Sequence, residues 1–409
     1  MNNILVITGQ YWPKPSANGA CLDQILKGLF EEGYFSHVVS FTPLEDDYES
    51  EYCKTYSVPV FVRTATTRWY RKLQSGVNQL KCFPLQGAGI IEKAQLICER
   101  LIKEYQITTV LCVQKPASCG YLGVKLKNKN PELRTILYEL DSLTDNISNY
   151  RSWTKYLRKR NNKLESLIYK NMDLILYLES HRRYYAQQRY DEFASKMKCV
   201  DIPLIDTETY NTSRQSDNSN PKKMIYSGVL TKGNRTPDYL LDILEAAGEK
   251  GLQAKMHFYS RGDCEDLLRE KSNGSMKETV YAHGYVSKEE LDKEVASSDV
   301  LVSIGEVFNG KVYSFPSKII YYISMGKPIL HIAPNRDDMC LSYLEKYPQA
   351  LVLYQEHNLQ ENVDSLISFI ETLDGSLVNF ELIQDRFKRN TARYTVDEIM
   401  DYLNGIKKA

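Results

Sequence analysis

The run Pro316-Ser317-Lys318-Ile319-Ile320-Tyr321-Tyr322-Ile323-Ser324-Met325-Gly326-Lys327-Pro328 holds residue types suited to gripping a phosphate. Proline suits the first turn of a helix, because its missing N–H would lack a partner there in any case. Ser317 and Lys318 then fall in that turn, where backbone N–H groups and the positive end of the helix dipole favour an anion. An ordinary helix start in an α/β domain fits the same spacing. Gly326 can take the left-handed conformation that ends the helix, and Pro328 stops it from continuing. Two further candidates sit just past predicted strands. Asn18-Gly19 close a small-residue loop after Ile4-Leu5-Val6-Ile7-Thr8, and Asp141 follows the strand Thr135 to Leu140. Ligands of open parallel sheets gather at the carboxyl ends of strands, so both positions could bind or catalyse. A plain tight connection at 18–19 and a helix N-cap at Asp141 are the alternatives.

These residues need a scaffold that brings strand ends together, and the sequence predicts one twice. The strand at 4–8 leads to a helix through Leu22, Ile25, Leu26 and Leu29, ending near Gly33, and then to the strand His37 to Phe41. Thr109 to Val113, Thr135 to Leu140 and Asp173 to Leu178 are apolar runs without polar alternation, as expected for strands buried on both faces. Helices over 90–105 and 165–170 separate them. Residues 205–222 are polar and irregular, which marks a linker. A second set follows: strand 223–228, helix 237–250, strand 255–259, helix 264–271, strand 280–281, and a helix opened by Ser287 and Glu290 at capping-box spacing. The strand Val300 to Ile304 then runs into Gly305-Glu306, and Ile329 to Ile332 follows the opening stretch. The expected fold class is α/β, with Rossmann-like doubly wound parallel-sheet domains at 1–205 and 223–390 and a linker at 206–222.

Composition excludes several function classes. A chain of 409 residues suggests about two domains, and 52 basic against 52 acidic residues give nothing that steers the molecule to nucleic acid. Nine cysteines lie without C-x-x-C or Cys/His ligand spacing, so neither a disulfide framework nor a zinc site is expected. No secretory leader is expected, and no apolar run approaches the ~20 residues needed to span a bilayer. The expectation is a cytoplasmic protein, peripheral to a membrane at most. Two stretches mix basic and aromatic side chains: Thr66 to Phe83, with Arg68-Trp69-Tyr70-Arg71-Lys72, and 151–163, with Trp153, Tyr156, Arg158, Lys159 and Arg160. Such stretches lie on anionic membrane surfaces or form solvated helix faces.

In order and spacing, the motifs resemble bacterial glycosyltransferases of the GT-B fold. The nearest pattern is glycosyltransferase family 4, in the branch that builds capsule and O-antigen polysaccharides. Pro316-Ser317-Lys318, Tyr322 and Gly326-Lys327-Pro328 match that pattern, and Tyr138-Glu139 ahead of Asp141 is similar to a run of the same branch. The resemblance implies two domains facing a cleft, with residues 391–409 forming a helix that packs back on the first domain. It implies a nucleotide-sugar donor in the second domain, its base near Gly284, Tyr285 and Val286. Lys232 or Arg235, in the loop after Gly228, would neutralise the diphosphate together with Ser317 and Lys318. Asn18 and Gly19 would lie near the acceptor and the transferred sugar, and Asp141 would join Lys232 and Lys318 in catalysis. It implies retaining transfer to a glycan or lipid-linked acceptor at the inner face of the cell membrane, with no cofactor and, lacking a D-x-D motif, no metal. Three positions depart from the pattern: Val229 replaces an arginine, and Ser314 and Tyr321 replace glutamates. Either the Tyr321 hydroxyl or Glu306 would then hold the ribose. The departures keep open a catalytically silent GT-B subunit that partners an active transferase. A sugar-nucleotide epimerase lacks a carboxylate-rich site here.

Overall fold

The structure, a computed structural model, describes residues 1–11, 17–42, 48–60, 85–140, 142–143, 154–213, 221–308, 311–312 and 317–406. Asp141, Ser314, Pro316 and the basic-aromatic stretch at 66–83 therefore lie outside the described residues. The chain divides into two compact units, Met1–Pro203 with Arg389–Ala409, and Leu204–Lys388.

The first unit runs β1 (Asn2–Thr8), α1 (Ala17–Glu31), β2 (Tyr34–Thr42), β3 (Cys53–Pro59), α2 (Ala88–Glu104), β4 (Thr109–Gln114), α3 (Ser118–Lys129), β5 (Arg134–Glu139), α4 (Thr154–Asn171), β6 (Leu174–Leu178), α5 (Arg182–Tyr185) and β7 (Met197–Val200). Its strands form one sheet in the order β3-β2-β1-β4-β5-β6-β7. All described pairings are parallel. Ile4 to Ile7 and Ile136 to Tyr138 are fully buried, because helices cover both faces of such a sheet. The edge strands β3 and β7 were not expected from the sequence. Cys-Lys-Thr-Tyr-Ser-Val-Pro and the four-residue Met-Lys-Cys-Val are polar or short, as sheet edges often are.

The second unit runs α6 (Thr207–Thr212), β8 (Lys222–Leu230), α7 (Asp238–Glu249), β9 (Ala254–Gly262), α8 (Glu265–Asn273), β10 (Val280–Ala282), α9 (Lys288–Ala296), β11 (Val300–Ile304), the hairpin β12 (Val307–Phe308) and β13 (Lys311–Val312), α10 (Lys318–Ser324), β14 (Ile329–Ala333), α11 (Leu341–Leu344), β15 (Ala350–Tyr354), α12 (Leu359–Thr372) and α13 (Phe380–Arg386). The sheet order is β10-β9-β8-β11-β14-β15. Within the stretch expected as a linker, α6 is capped by Asp206, which accepts the Thr209 N–H at 2.7 Å. The Tyr210 hydroxyl donates to the Val378 carbonyl at 3.1 Å, so this helix is fastened to the second unit. Tyr210 also packs where Gly326 (φ +71°) ends α10, and a Cβ there would meet its ring at 2.7 Å.

The last helix, α14 (Ala392–Leu403), belongs to the first unit. It lies on α1, where Gly28 leaves no room for a side chain: a Cβ would stand 2.8 Å from Val396 Cγ2. Arg393 pairs with Glu32 at 2.6 Å, and Arg134 donates to the Leu403 carbonyl at 2.8 Å. Gly28→Leu should therefore overpack this contact and destabilise the first unit by ~1–3 kcal/mol. An unchanged Tm in this variant would mean that α14 is not held by this contact.

Candidate functional site

In the second sheet the chain leaves β8 for β9 on one side, and β11 joins β8 on the other. Ligands of doubly wound sheets bind where the strand order reverses in this way. The end of β8 is shaped by Gly228, whose φ of +134° disfavours other residues. Beside it stands Lys318, whose Nζ donates to the Ser227 carbonyl and lies 4.6 Å from the centroid of the Tyr226 ring. A Cβ on Gly228 would collide with that amine, so any other residue there would have to displace the lysine end. The Tyr322 hydroxyl, fully buried one turn along α10, sits 3.2 Å from Ser227 Oγ and steadies the same strand end.

Arg235 approaches from the loop after β8. Backbone bonds of 2.9 Å between Thr231 and Arg235 tie the loop into a turn, and Val307 N–H donates to the Asn234 carbonyl at 2.9 Å. Its guanidinium Nη2 meets Glu306 Oε2 at 2.9 Å, while Nε is buried without a hydrogen-bond partner among the described residues. Glu306 is held from below. Gly305 N–H donates to the Ile332 carbonyl at 2.9 Å, and a Cβ at Gly305 would collide with the Asp338 carboxylate and Pro334. Asp338 in turn accepts from His331 Nε2 at 3.0 Å and from the Cys340 N–H at 2.8 Å. Burial works to raise the Asp338 carboxyl, but these donors outweigh it and hold it below its ordinary value. His331, Asp338 and Cys340 bring ligand-type atoms within 4.8 Å of one another. The hydrogen bonds at Asp338 account for that cluster.

The electrostatics follow from this packing. Lys318 keeps some exposed surface, yet burial of its amine, assisted by the like charge of Arg235, lowers it from 10.5 to about 7. Glu306 pairs with Arg235, and among the described residues no carboxylate lies within salt-bridge distance of Lys318, an arrangement that suits an anion. A lysine at a helix start is ordinarily exposed. Tertiary packing against β8 decides otherwise.

The other expected site residues distribute as follows. Ser317 caps α10 without a side-chain hydrogen bond. Lys232 is exposed; its backbone N–H donates to Asp263, and its charge bears on Cys264 and not on Lys318. Gly284 (φ +71°), Tyr285 and Val286 follow β10; Tyr285 is 77% exposed, with the Arg261 guanidinium 5.6 Å from its ring centroid. Burial raises the Tyr321 hydroxyl, with Asp292, Tyr322 and Asp206 adding to the effect. Asn18 and Gly19 lie inside the first turn of α1, a correction to the expected loop, and Gly19 is buried. Sequence reasoning passed over Glu139, at the carboxyl end of β5. It is buried, accepts from Gln114 at 2.9 Å and from Tyr169, and is pushed up to about 8 by burial and by Glu165. A carboxylate at a central strand end was the available signal.

A lysine whose native value lies below its unfolded value costs stability at low pH. Between about pH 7 and ~10.4 the unfolded chain binds the extra proton, so this term of stability rises with pH across that window. Lys318→Met removes the term. Its Tm should exceed that of the wild type at pH 6, and the gap should narrow as the pH rises from 7 to 10. A gap that does not change with pH would show that the amine is not desolvated.

Sequence searches find no matching family model and no matching curated protein. Solved structures do match over the whole chain. The N-terminal domain of trehalose-6-phosphate phosphatase from Candida albicans aligns with TM-score 0.64 and 10% identity, over 99% of this chain and 97% of that one. Anabaena HepE, in complex with UDP and glucose, aligns with TM-score 0.57 and 12% identity, over 99% and 100%. WaaG, a glycosyltransferase of lipopolysaccharide biosynthesis, aligns with TM-score 0.54 and 9% identity, over 98% and 100%. The fold is GT-B. At such identities the likeness concerns architecture, and the chemistry must be argued from this chain's own residues.

Proposed function

We propose that the protein is a glycosyltransferase that takes a sugar from a nucleoside-diphosphate sugar and passes it to a glycan or lipid-linked acceptor in bacterial surface polysaccharide synthesis. One observation carries the reading. At the switch point of a GT-B second unit, Lys318 and Arg235 stand together with a single carboxylate, against a glycine that keeps the backbone open. When the bond from the sugar C1 to the diphosphate oxygen breaks, negative charge grows on the leaving phosphate. Fixed cations in a poorly solvated site stabilise that charge more in the transition state than in the ground state. They take the part that a divalent ion would otherwise play. Gly284, Tyr285 and Val286 suit the base, with the exposed Tyr285 ring available for stacking. Glu306, already oriented by Arg235, suits the ribose hydroxyls better than Tyr321 does. Asn18, Gly19 and Asp141 are the proposed acceptor-side residues. Retention follows if the acceptor hydroxyl enters on the face that the diphosphate leaves, handing its proton to a phosphate oxygen.

A second reading, the silent GT-B subunit, is favoured by Val229, 41% exposed where relatives in the resembled family carry an arginine. Thermal shifts with UDP-glucose, ADP-glucose, GDP-mannose and UDP-N-acetylglucosamine separate the readings when followed by slow-turnover assays. We expect at least one to raise Tm and be consumed. Arg235→Ala and Lys318→Ala should each weaken binding by tenfold or more, as loss of a charged hydrogen bond of ~1.5–3 kcal/mol requires. Binding without turnover identifies the silent subunit. No shift with any of the four removes the donor site.

Transfer to a lipid-linked acceptor needs an approach to a bilayer, and among the described residues no helix is long and apolar enough to cross one. On α4, Tyr156, Arg158 and Lys159 are exposed together, which suits a surface contact with anionic headgroups. Salt-sensitive co-sedimentation with anionic vesicles is expected, reduced in the Arg158→Glu, Lys159→Glu, Arg160→Glu variant with nucleotide binding intact. Equal co-sedimentation of both proteins would remove the membrane role.

A further inference from the structure

We infer that Lys318 enters the donor site as the neutral amine and takes up one proton from solvent as the diphosphate binds. This rests on the donor reading above and concerns how that site handles its charge. Among the described residues, the following groups face the amine. From β8 come the Ser227 carbonyl and the face of the Tyr226 ring. From the following loop comes Arg235, a like charge. From α10 itself comes Tyr322, whose hydroxyl is engaged with Ser227. From the segment after β11 comes Glu306, and its carboxylate is paired with Arg235.

Among the described residues no carboxylate lies within salt-bridge distance of Lys318 Nζ. One carbonyl and one ring face replace little of the hydration that an ammonium loses on burial, and a neighbouring guanidinium adds repulsion. A neutral amine needs neither water nor a counter-ion, and it still donates to the Ser227 carbonyl. The lowered value of the Lys318 amine agrees with this geometry. The tyrosines cannot act as counter-ions, since burial raises the hydroxyls of both Tyr226 and Tyr322.

A bound diphosphate inverts the balance. Two negative charges arrive beside Lys318 and Arg235, the ammonium becomes the favoured form, and Lys318–NH2 plus a solvent proton becomes Lys318–NH3+ paired with phosphate oxygen. The site therefore reaches its full charge only when occupied. A sugar diphosphate diester does not itself titrate near neutrality, so the proton belongs to the protein. Affinity should be level below about pH 7 and fall roughly tenfold per unit above it, because only the protonated complex is stable.

Titration calorimetry of the whole protein with UDP-glucose at pH 7.5, in two buffers of different ionisation heat, reads the proton directly. The expected result is uptake of between half and one proton, together with an affinity that falls above pH 7. Lys318→Arg, whose guanidinium stays charged, should bind UDP-glucose with no uptake and no loss of affinity up to pH 9. Binding by the wild type with the same heat in both buffers and one affinity from pH 6 to 9 would overturn the inference and leave the donor site standing. Equal uptake by Lys318→Arg would place the proton elsewhere and overturn it too. Absence of binding by the wild type to any of the four nucleotide sugars would instead sink the donor reading itself. The pH dependence of the wild type decides the matter even if the arginine variant does not fold.

Discussion

The second unit depends on a lysine amine pressed against the last carbonyl before a glycine. Lys318 reaches Ser227 across the end of β8, through space that Gly228 leaves by having no Cβ. The contact joins α10 to the central strand and sets a cationic group at the switch point of the sheet. It also leaves that group short of hydration and without a carboxylate of its own. A fold stabilised only by apolar contacts would place a leucine there. Burying the lysine amine beside Arg235 is unfavourable for its charged form.

The surrounding elements hold the second cation by other means. Arg235 sits in a loop tied by backbone bonds to its own start and to Val307, with Glu306 against its guanidinium. Glu306 is placed by Gly305, which fits under Pro334 and Asp338, and Asp338 is fixed by His331 on β14 and by the backbone of Cys340. Three strand ends, those of β8, β11 and β14, are thus linked through backbone and buried polar contacts. Such contacts are costly if left incomplete and rigid when satisfied, which suits a site whose charges must not relax between substrates. The first unit repeats the architecture with different chemistry at its strand ends: a buried carboxyl at Glu139 among Gln114 and tyrosines, where the second unit carries cations.

The sequence alone determined the strands of both sheets' interiors, their parallel character and the two-domain α/β class. It also located the helix start at Lys318 and the helix stop at Gly326. These follow from local rules: unbroken apolar runs read as strands buried on both faces, and glycine and proline act at the positions where the backbone needs them. The edge strands β3 and β7 escaped because an edge needs neither continuous apolarity nor length. Only the tertiary structure decided which cations meet. Lys232 and Arg235 are three residues apart and equally basic on paper, yet the turn between Thr231 and Arg235 leaves Lys232 exposed and brings Arg235 to Glu306. Tyr321 and Tyr322 are adjacent, and the helical rotation between them separates the hydroxyl beside Ser227 from the one nearer Asp206 and Asp292. Whether Lys318 is an exposed helix-start charge or a desolvated amine depends on Ser227, in a strand 91 residues earlier in the chain. Burial and the sign of neighbouring charge are sums over contacts distant in sequence, and no local pattern contains them.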